Sequence, residues 1–287
     1  MTNLTFDVQE PERRETCVVF ASPHSGRAYP RSFLRQSVLG ERAIRSSEDA
    51  FVDELFEPAP QFGAPLLRAH VPRAFVDLNR AEDELDPALI EGVRRAGHNP
   101  RIASGLGVVP RVVANGKAIY RGKIHLSEAE RRIETYWRPY HTALARQLAE
   151  ARALFGQSIL VDCHSMPHEA MDSVARSGIR RPDVVLGDRF GASASETIVD
   201  AIEQAFTAAG LVVTRNTPFA GAYITQAYGR PSNRCHAVQV EIDRALYMNE
   251  RTVMPNGRFK PFKVLLEGVI AEIAAIGRPV EQPLAAE

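Results

Sequence analysis

Two histidines, His24 and His164, each directly follow an apolar run, in the segments PHSG (23–26) and DCHSMP (162–167). Neutral imidazole is the commonest protein ligand for zinc, and a catalytic zinc takes about three protein ligands with one position left open. A single histidine in such a place is ordinarily a satisfied structural residue. Two at matching places, each followed by serine, bring the metal reading level with the structural one. A carboxylate is the natural third ligand, and the adjacent Glu48 and Asp49 are candidates, with Asp53 one turn further on. Acids at the start of a helical stretch also favour the helix dipole, so spacing alone does not choose among them.

Glu241 sits in VQVEIDR (238–244). A carboxylate inside an otherwise apolar strand is costly to bury unless paired, and burial raises its pKa. That suits a general base taking a proton from water. The competing reading is a solvated strand edge formed by the charges of EIDR. Arg73, Asn79 and Arg80 in PRAFVDLNR (72–80) offer a planar guanidinium fork and an amide, a plausible clamp for a carboxylate substrate. Taken alone, an arginine at a strand end is more often a surface residue. Asp77 could orient its neighbours. Tyr120, His125, Tyr140, His141, Tyr223, Tyr228 and Tyr247 are better read individually as packing residues.

Short continuous apolar runs predict the strands that would carry these groups: 17–22, 65–71, 74–78, 158–163, 183–188, 210–216 and 236–242. Helical periodicity falls between them. Residues 46–56 read as a helix with a serine cap. Residues 126–155 read as a helix with a Ser127/Glu130 capping box and a break at Pro139. Residues 193–210 and 262–277 read as two more. The glycine- and proline-rich stretch 216–231 reads as a loop or hairpin walling a pocket, and 92–110 as a second long loop, a candidate lid. Strands alternating with helices imply an α/β sandwich with a mostly parallel sheet, in which reactive groups gather at strand carboxyl ends. His24, Asn79, Arg80, His164 and Glu241 all fall there. No linker interrupts the chain, so 1–287 reads as one domain.

Composition narrows the classes. Lys plus Arg equals Asp plus Glu, 35 each, so no whole-molecule field favours nucleic acid or an anionic membrane. Cys17, Cys163 and Cys235 are odd in number and form no CxxC pair, which argues against a disulfide framework or a thiolate zinc site. The polar, acidic start does not read as a signal peptide, and no apolar run approaches a membrane span. A reducing cytoplasm is the expectation. Oligomeric state leaves no mark in the sequence. No GxGxxG with its acid, Walker loop or GxSxG elbow is present, which disfavours dinucleotide, nucleotide and α/β-hydrolase readings.

The ordered set PHSGRAYP, SSEDAFVDELF, RAFVDLNRAEDELDP, RPYHTAL, LVDCHSMP, DVVLGDRFG and VQVEIDRALYMNE resembles the N-formylglutamate amidohydrolase family, from about residue 17 to residue 265. That family is distantly similar to zinc carboxypeptidases and aspartoacylases. The resemblance implies a phosphorylase/hydrolase-like three-layer α/β sandwich with a mixed, mostly parallel sheet. It implies one Zn2+ per chain, with His24 and His164 as the first and last ligands. The carboxypeptidase relatives place a glutamate three residues after the first histidine. Here that position is Arg27, so the EDAFVD segment must supply the carboxylate, and Asp49 is favoured over Glu48. Arg73, Asn79 and Arg80 resemble the substrate-carboxylate clamp, and Glu241 resembles the general base. The implied reaction is metal-dependent hydrolysis of N-formyl-L-glutamate to formate and L-glutamate, the last step of histidine breakdown. Two rivals stand beside it: hydrolysis of another N-acyl amino acid or small peptide, and a non-catalytic protein binding metal or an acidic ligand on the same fold.

Overall fold

The computed structural model describes residues 5–94, 99–172 and 180–279. Seven strands form its main sheet: β1 (Phe6–Gln9), β2 (Val18–Ser22), β3 (Leu66–Ala69), β4 (Ser158–Met166), β5 (Val184–Gly187), β6 (Val213–Arg215) and β7 (Cys235–Asp243). Their order across the sheet is β1-β3-β2-β4-β7-β5-β6. β1 runs antiparallel to β3 and β5 antiparallel to β7; the other four ladders are parallel, so the sheet is mixed and mostly parallel as expected.

β2 and β4 are buried at every residue, and β7 at all but its first. Successive strand residues face opposite sides, so unbroken burial means that helices and loops cover both faces. The Arg138–Phe155 helix packs on β2 and β4. The Phe259–Ile276 helix packs on β2 and on the Glu196–Ala208 helix, which in turn lies against β5 and β6.

Three local expectations are corrected. The apolar run 74–78 is buried but is no strand. Phe75 and Val76 donate their N–H groups back to the Pro72 carbonyl, and Asp77 donates to Val108, so this is a folded turn tied to another loop. The 46–56 segment holds only a 3-10 turn, Arg45–Ser47, and one helical turn, Val52–Leu55. Between them Asp49 N–H donates to the His24 carbonyl (3.1 Å), Asp53 N–H donates to Ser25 Oγ (3.1 Å), and Phe51 takes φ 66°. Tertiary bonds thus take amides that a continuous helix would use. The long helical segment divides at a π-turn, Ile133–Trp137, between Leu126–Arg132 and Arg138–Phe155, with Pro139 in the first turn of the second helix. Its start is His125, which makes no side-chain cap. Glu128, rather than a Ser127/Glu130 box, binds Arg131 and Arg132. β1 lies in the polar start, which no apolar run announces, because an edge strand of four half-buried residues needs none.

Candidate active site and metal centre

The parallel register of β4 and β7 places Asp162 beside Gln239 and His164 beside Glu241. With a side-chain period of two, all four belong to one face of the sheet. His24 lies two residues beyond β2, which flanks β4 on its other side. The turn after His24 passes hard against the exit of β3. A Cβ on Gly26 would sit 2.0 Å from the Val71 carbonyl oxygen, so only glycine fits there. Ser22 and Ser25 share a short hydroxyl–hydroxyl bond inside this turn.

The carbonyl of His24 accepts the Asp49 N–H, and that single backbone bond brings the acid to the imidazoles. His24, Asp49 and His164 are all buried, and one donor atom from each lies within 4.8 Å of the others. Asp49 Oδ2 is 3.4 Å from His24 Nδ1 and 2.9 Å from His164 Nδ1. Ligand atoms of a tetrahedral ion with bonds of about 2 Å stand about 3.3 Å apart, so the spacing suits a divalent metal. His24 Nδ1 is also buried without a hydrogen-bond partner. An orphaned imidazole nitrogen facing a carboxylate and a second imidazole is what a metal site looks like before the metal is counted.

The second ring nitrogens are braced. His24 Nε2–H donates to Asp77 Oδ1 (2.7 Å), and His164 Nε2 lies 3.0 Å from Asp162 Oδ2 and 3.2 Å from the Asn79 amide nitrogen. Carboxylates behind ligating histidines fix ring orientation and tautomer. Arg244 Nη2 donates to Asp49 Oδ1 (2.9 Å) and holds that carboxylate from the far side. Glu48 takes no part: Tyr29 and Arg45 occupy its oxygens. The charges respond accordingly. Burial opposes ionisation of Asp49, but the two imidazoles hold it well below the ordinary carboxylate range. Burial likewise opposes ionisation of Asp77, but Arg73, His24 and Arg80 hold it well below. His164 is driven well above its usual value, because Asp162 and Asp49 outweigh the desolvation of the ring.

Glu241 behaves in the opposite way. Burial pushes its carboxyl up to about 7, with His164, Arg73 and Arg244 opposing the rise and Asp49 adding to it. Gln239 Nε2 donates to Glu241 Oε1 (2.8 Å), and among the described residues the second oxygen has no such bond. A buried carboxyl held by a single hydrogen bond beside a set of possible metal ligands is placed to take and return a proton.

A cavity of about 580 Å³ opens over this floor, lined by His24, His164, Glu241, Arg73, Asn79 and Arg80 among others. Arg73 Nε donates to Asp77 Oδ2 (3.2 Å). Arg80 donates to the Leu106 carbonyl (2.9 Å) and to the Asn79 carbonyl (2.8 Å). The Asn79 amide reaches the pocket floor, but its oxygen accepts the Ile224 N–H (2.7 Å) and its nitrogen faces Asp162, His164 and Gln239. Residues 218–222 line it, as expected for part of 216–231, but the rest of that stretch is no loop or hairpin: Tyr223–Tyr228 is a short helix, its Ile224 N–H taken by Asn79. The lining also includes Arg101, Ser104, Leu106 and Pro110 from the second long loop, of which 95–98 lie outside the described residues. None of the seven tyrosines and histidines read as packing residues lines the cavity. His141, for example, is sandwiched by Trp137 and Tyr228 and bonded to the Leu78 carbonyl.

The residues not singled out from sequence are Asp162, Gln239, Arg244 and Arg101. The first two were legible in principle, since each stands two positions before a site residue on the same strand.

The profile of the N-formylglutamate amidohydrolase family matches residues 16–248. The chain belongs to the N-formylglutamate amidohydrolase family. It is 31% identical over 248 residues to an N-formylglutamate deformylase of Pseudomonas aeruginosa, spanning 84% of this chain and 85% of that one. A deformylase of the same name from Pseudomonas putida is 28% identical, over 91% and 93% of the two chains. The crystal structure of an N-formylglutamate amidohydrolase from Ralstonia eutropha superposes with a TM-score of 0.88 at 35% identity, covering 95% of this chain and 98% of that one.

Proposed function

We propose that this chain is a cytoplasmic zinc-dependent amidohydrolase acting as a single unit over 1–287, cleaving N-formyl-L-glutamate to formate and L-glutamate at the end of histidine breakdown. The observation that carries the reading is a buried carboxyl, Glu241, paired in register with His164 and so beside a pre-braced His24–Asp49–His164 set. The names of the relatives support the substrate. A mere binding site would have no use for such a base.

A zinc ion held by His24, Asp49 and His164 would supply Lewis acidity at the formyl oxygen and at the attacking water. Asp77 and Asp162 keep the two imidazoles turned toward that point. Glu241 accepts a proton from the water as its oxygen bonds to the formyl carbon, then delivers it to the amide nitrogen as the C–N bond breaks. Formate and the free amino group of glutamate leave. Arg73, which lies close enough to feel both Glu241 and Asp77, faces the negative charge that develops on the formyl oxygen. Arg80 takes the α-carboxylate in its fork, and Asn79 forms the floor beneath it. Holding that carboxylate positions the amide for attack.

Incubation of purified protein with N-formyl-L-glutamate, following formate, tests this directly. Release should vanish on chelation and return with zinc. Faster cleavage of N-acetylated amino acids than of N-formylglutamate would overturn the substrate, and release unaffected by chelation would overturn the metal.

A further inference from the structure

We propose that Arg101 selects the substrate by pairing with the side-chain carboxylate of a dicarboxylic N-formyl amino acid, while Arg80 takes the carboxylate next to the scissile amide. The inference rests on the hydrolytic reading above and extends it to a residue outside the clamp.

Among the described residues four arginines line the cavity: Arg73, Arg80, Arg101 and Arg244. Two are already neutralised within the protein, Arg73 by Asp77 (3.2 Å) and Arg244 by Asp49 (2.9 Å). Arg80 bonds to neutral carbonyls, with its nearest carboxylate, Asp77, a full 4.0 Å away. Among the described residues Arg101 has no carboxylate within 4.0 Å. Among the described residues the pocket therefore presents one guanidinium with no acid of its own, Arg101, beside another, Arg80, that has only a share of Asp77, the closer partner of Arg73. A ligand with one carboxylate satisfies one of them; a dicarboxylate satisfies both.

The loop is built to keep this pair together. Leu106 donates its N–H to the Arg101 carbonyl (2.9 Å) and accepts Arg80 Nε on its own carbonyl (2.9 Å), so one residue bridges the two. Asn99 caps the short Pro100–Ala103 helix, with Oδ1 accepting from Arg101 N (2.9 Å). Arg111 ties the end of that helix to Asp86. Glu84 accepts the Val108 N–H on its carbonyl and the Ala81 N–H on its side chain, anchoring the loop to the residue after Arg80. Arg101 is thus an exposed side chain on a pinned backbone, turned to a pocket that already carries Arg80. Burial and the charges of Arg73 and Arg101 disfavour protonation of Arg80, against the opposing pull of Asp77 and Glu84.

Steady-state kinetics on the zinc-loaded protein with N-formyl-L-glutamate and N-formyl-L-glutamine test the assignment, because the two substrates differ only in the distal carboxylate. The native chain should prefer glutamate. Arg101→Met should raise KM for the glutamate substrate by about tenfold and collapse the glutamate-over-glutamine ratio, and Arg101→Lys should restore part of that preference. A native preference retained by Arg101→Met, or no preference in the native chain, would overturn the inference while leaving deformylation intact. No formate from either substrate would instead remove the hydrolytic reading, and the inference with it.

Discussion

Asp77→Asn probes whether the histidines are set for a metal. Asp77 is almost wholly buried, and Oδ1 accepts from both His24 Nε2 (2.7 Å) and the Asn79 backbone N–H (2.9 Å), while Oδ2 accepts from Arg73 (3.2 Å). Asparagine is nearly isosteric. Its one oxygen can keep the bonds to His24 and Asn79, but the amide nitrogen then meets Arg73 donor to donor, and the negative charge behind the imidazole is gone. Loss of such a partner typically weakens metal binding about 10- to 100-fold, which is about 1.4 to 2.7 kcal/mol. Titration of bound zinc against a graded chelator reads this out. Asp183→Asn is the control, since Asp183 is a buried aspartate bonded to Arg180 and the Val212 N–H, on the antiparallel side of the sheet. Unchanged affinity in Asp77→Asn, or an equal loss in the control, would refute the reasoning that Asp77 aims His24 at a metal.

Two further substitutions address the base and the turn. Glu241→Gln should lower turnover at least ~100-fold with zinc still bound, and a negligible change would remove Glu241 from the mechanism. In metal-free protein the same substitution should act on stability. The carboxyl titrates at about 7 when folded against 4.5 when free. The folded chain therefore holds that proton more tightly, and this contribution is intact below pH 4.5 and lost as pH rises through 7. Relative to the Glu241→Gln variant, the native chain should lose about 3 kcal/mol between those limits, measured by urea midpoints at about pH 5 and about pH 8; equal pH dependence in the two proteins would count against a buried, unneutralised acid. Gly26→Ala should displace the turn that carries His24, since the new Cβ would lie 2.0 Å from the Val71 carbonyl. Lower melting temperature and reduced zinc content are expected, and native values for both would show that the turn can yield.

The placement of His24, His164 and Glu241 on or just beyond strands was legible from sequence, because apolar runs mark strands. Glu48 and Asp49 could not be separated along the chain. They differ in which neighbours reach them: Tyr29 and Arg45 for Glu48, two imidazoles and Arg244 for Asp49. The same cause hid Arg244, whose partner Asp49 lies 195 residues earlier in the sequence. The failed strand at 74–78 and helix at 46–56 share one explanation. In both, backbone amides bond to distant loops, and those loops belong to the site. Local pattern was overridden where the chain had to deliver Asp49, Asp77 and Asn79 to one point.

The position of β7 has a consequence for how the chain is made. It is the last of the seven strands to leave the ribosome, yet it lies between β4 and β5 and is the only strand joining them. Until residue 243 is available the sheet exists as two unconnected pieces, and β4 presents an open edge at its most chemically loaded end. Closure is a long-range event, of the kind that makes folding slow and leaves intermediates prone to aggregate. The groups thus arrive in a fixed sequence: His24, Asp49 and His164 are synthesised early, while Glu241, and Arg244 that steadies Asp49, come with the closing strand and the turn after it. A chain released prematurely before that point would carry the side chains of His24, Asp49 and His164 without Glu241 or Arg244 beside them.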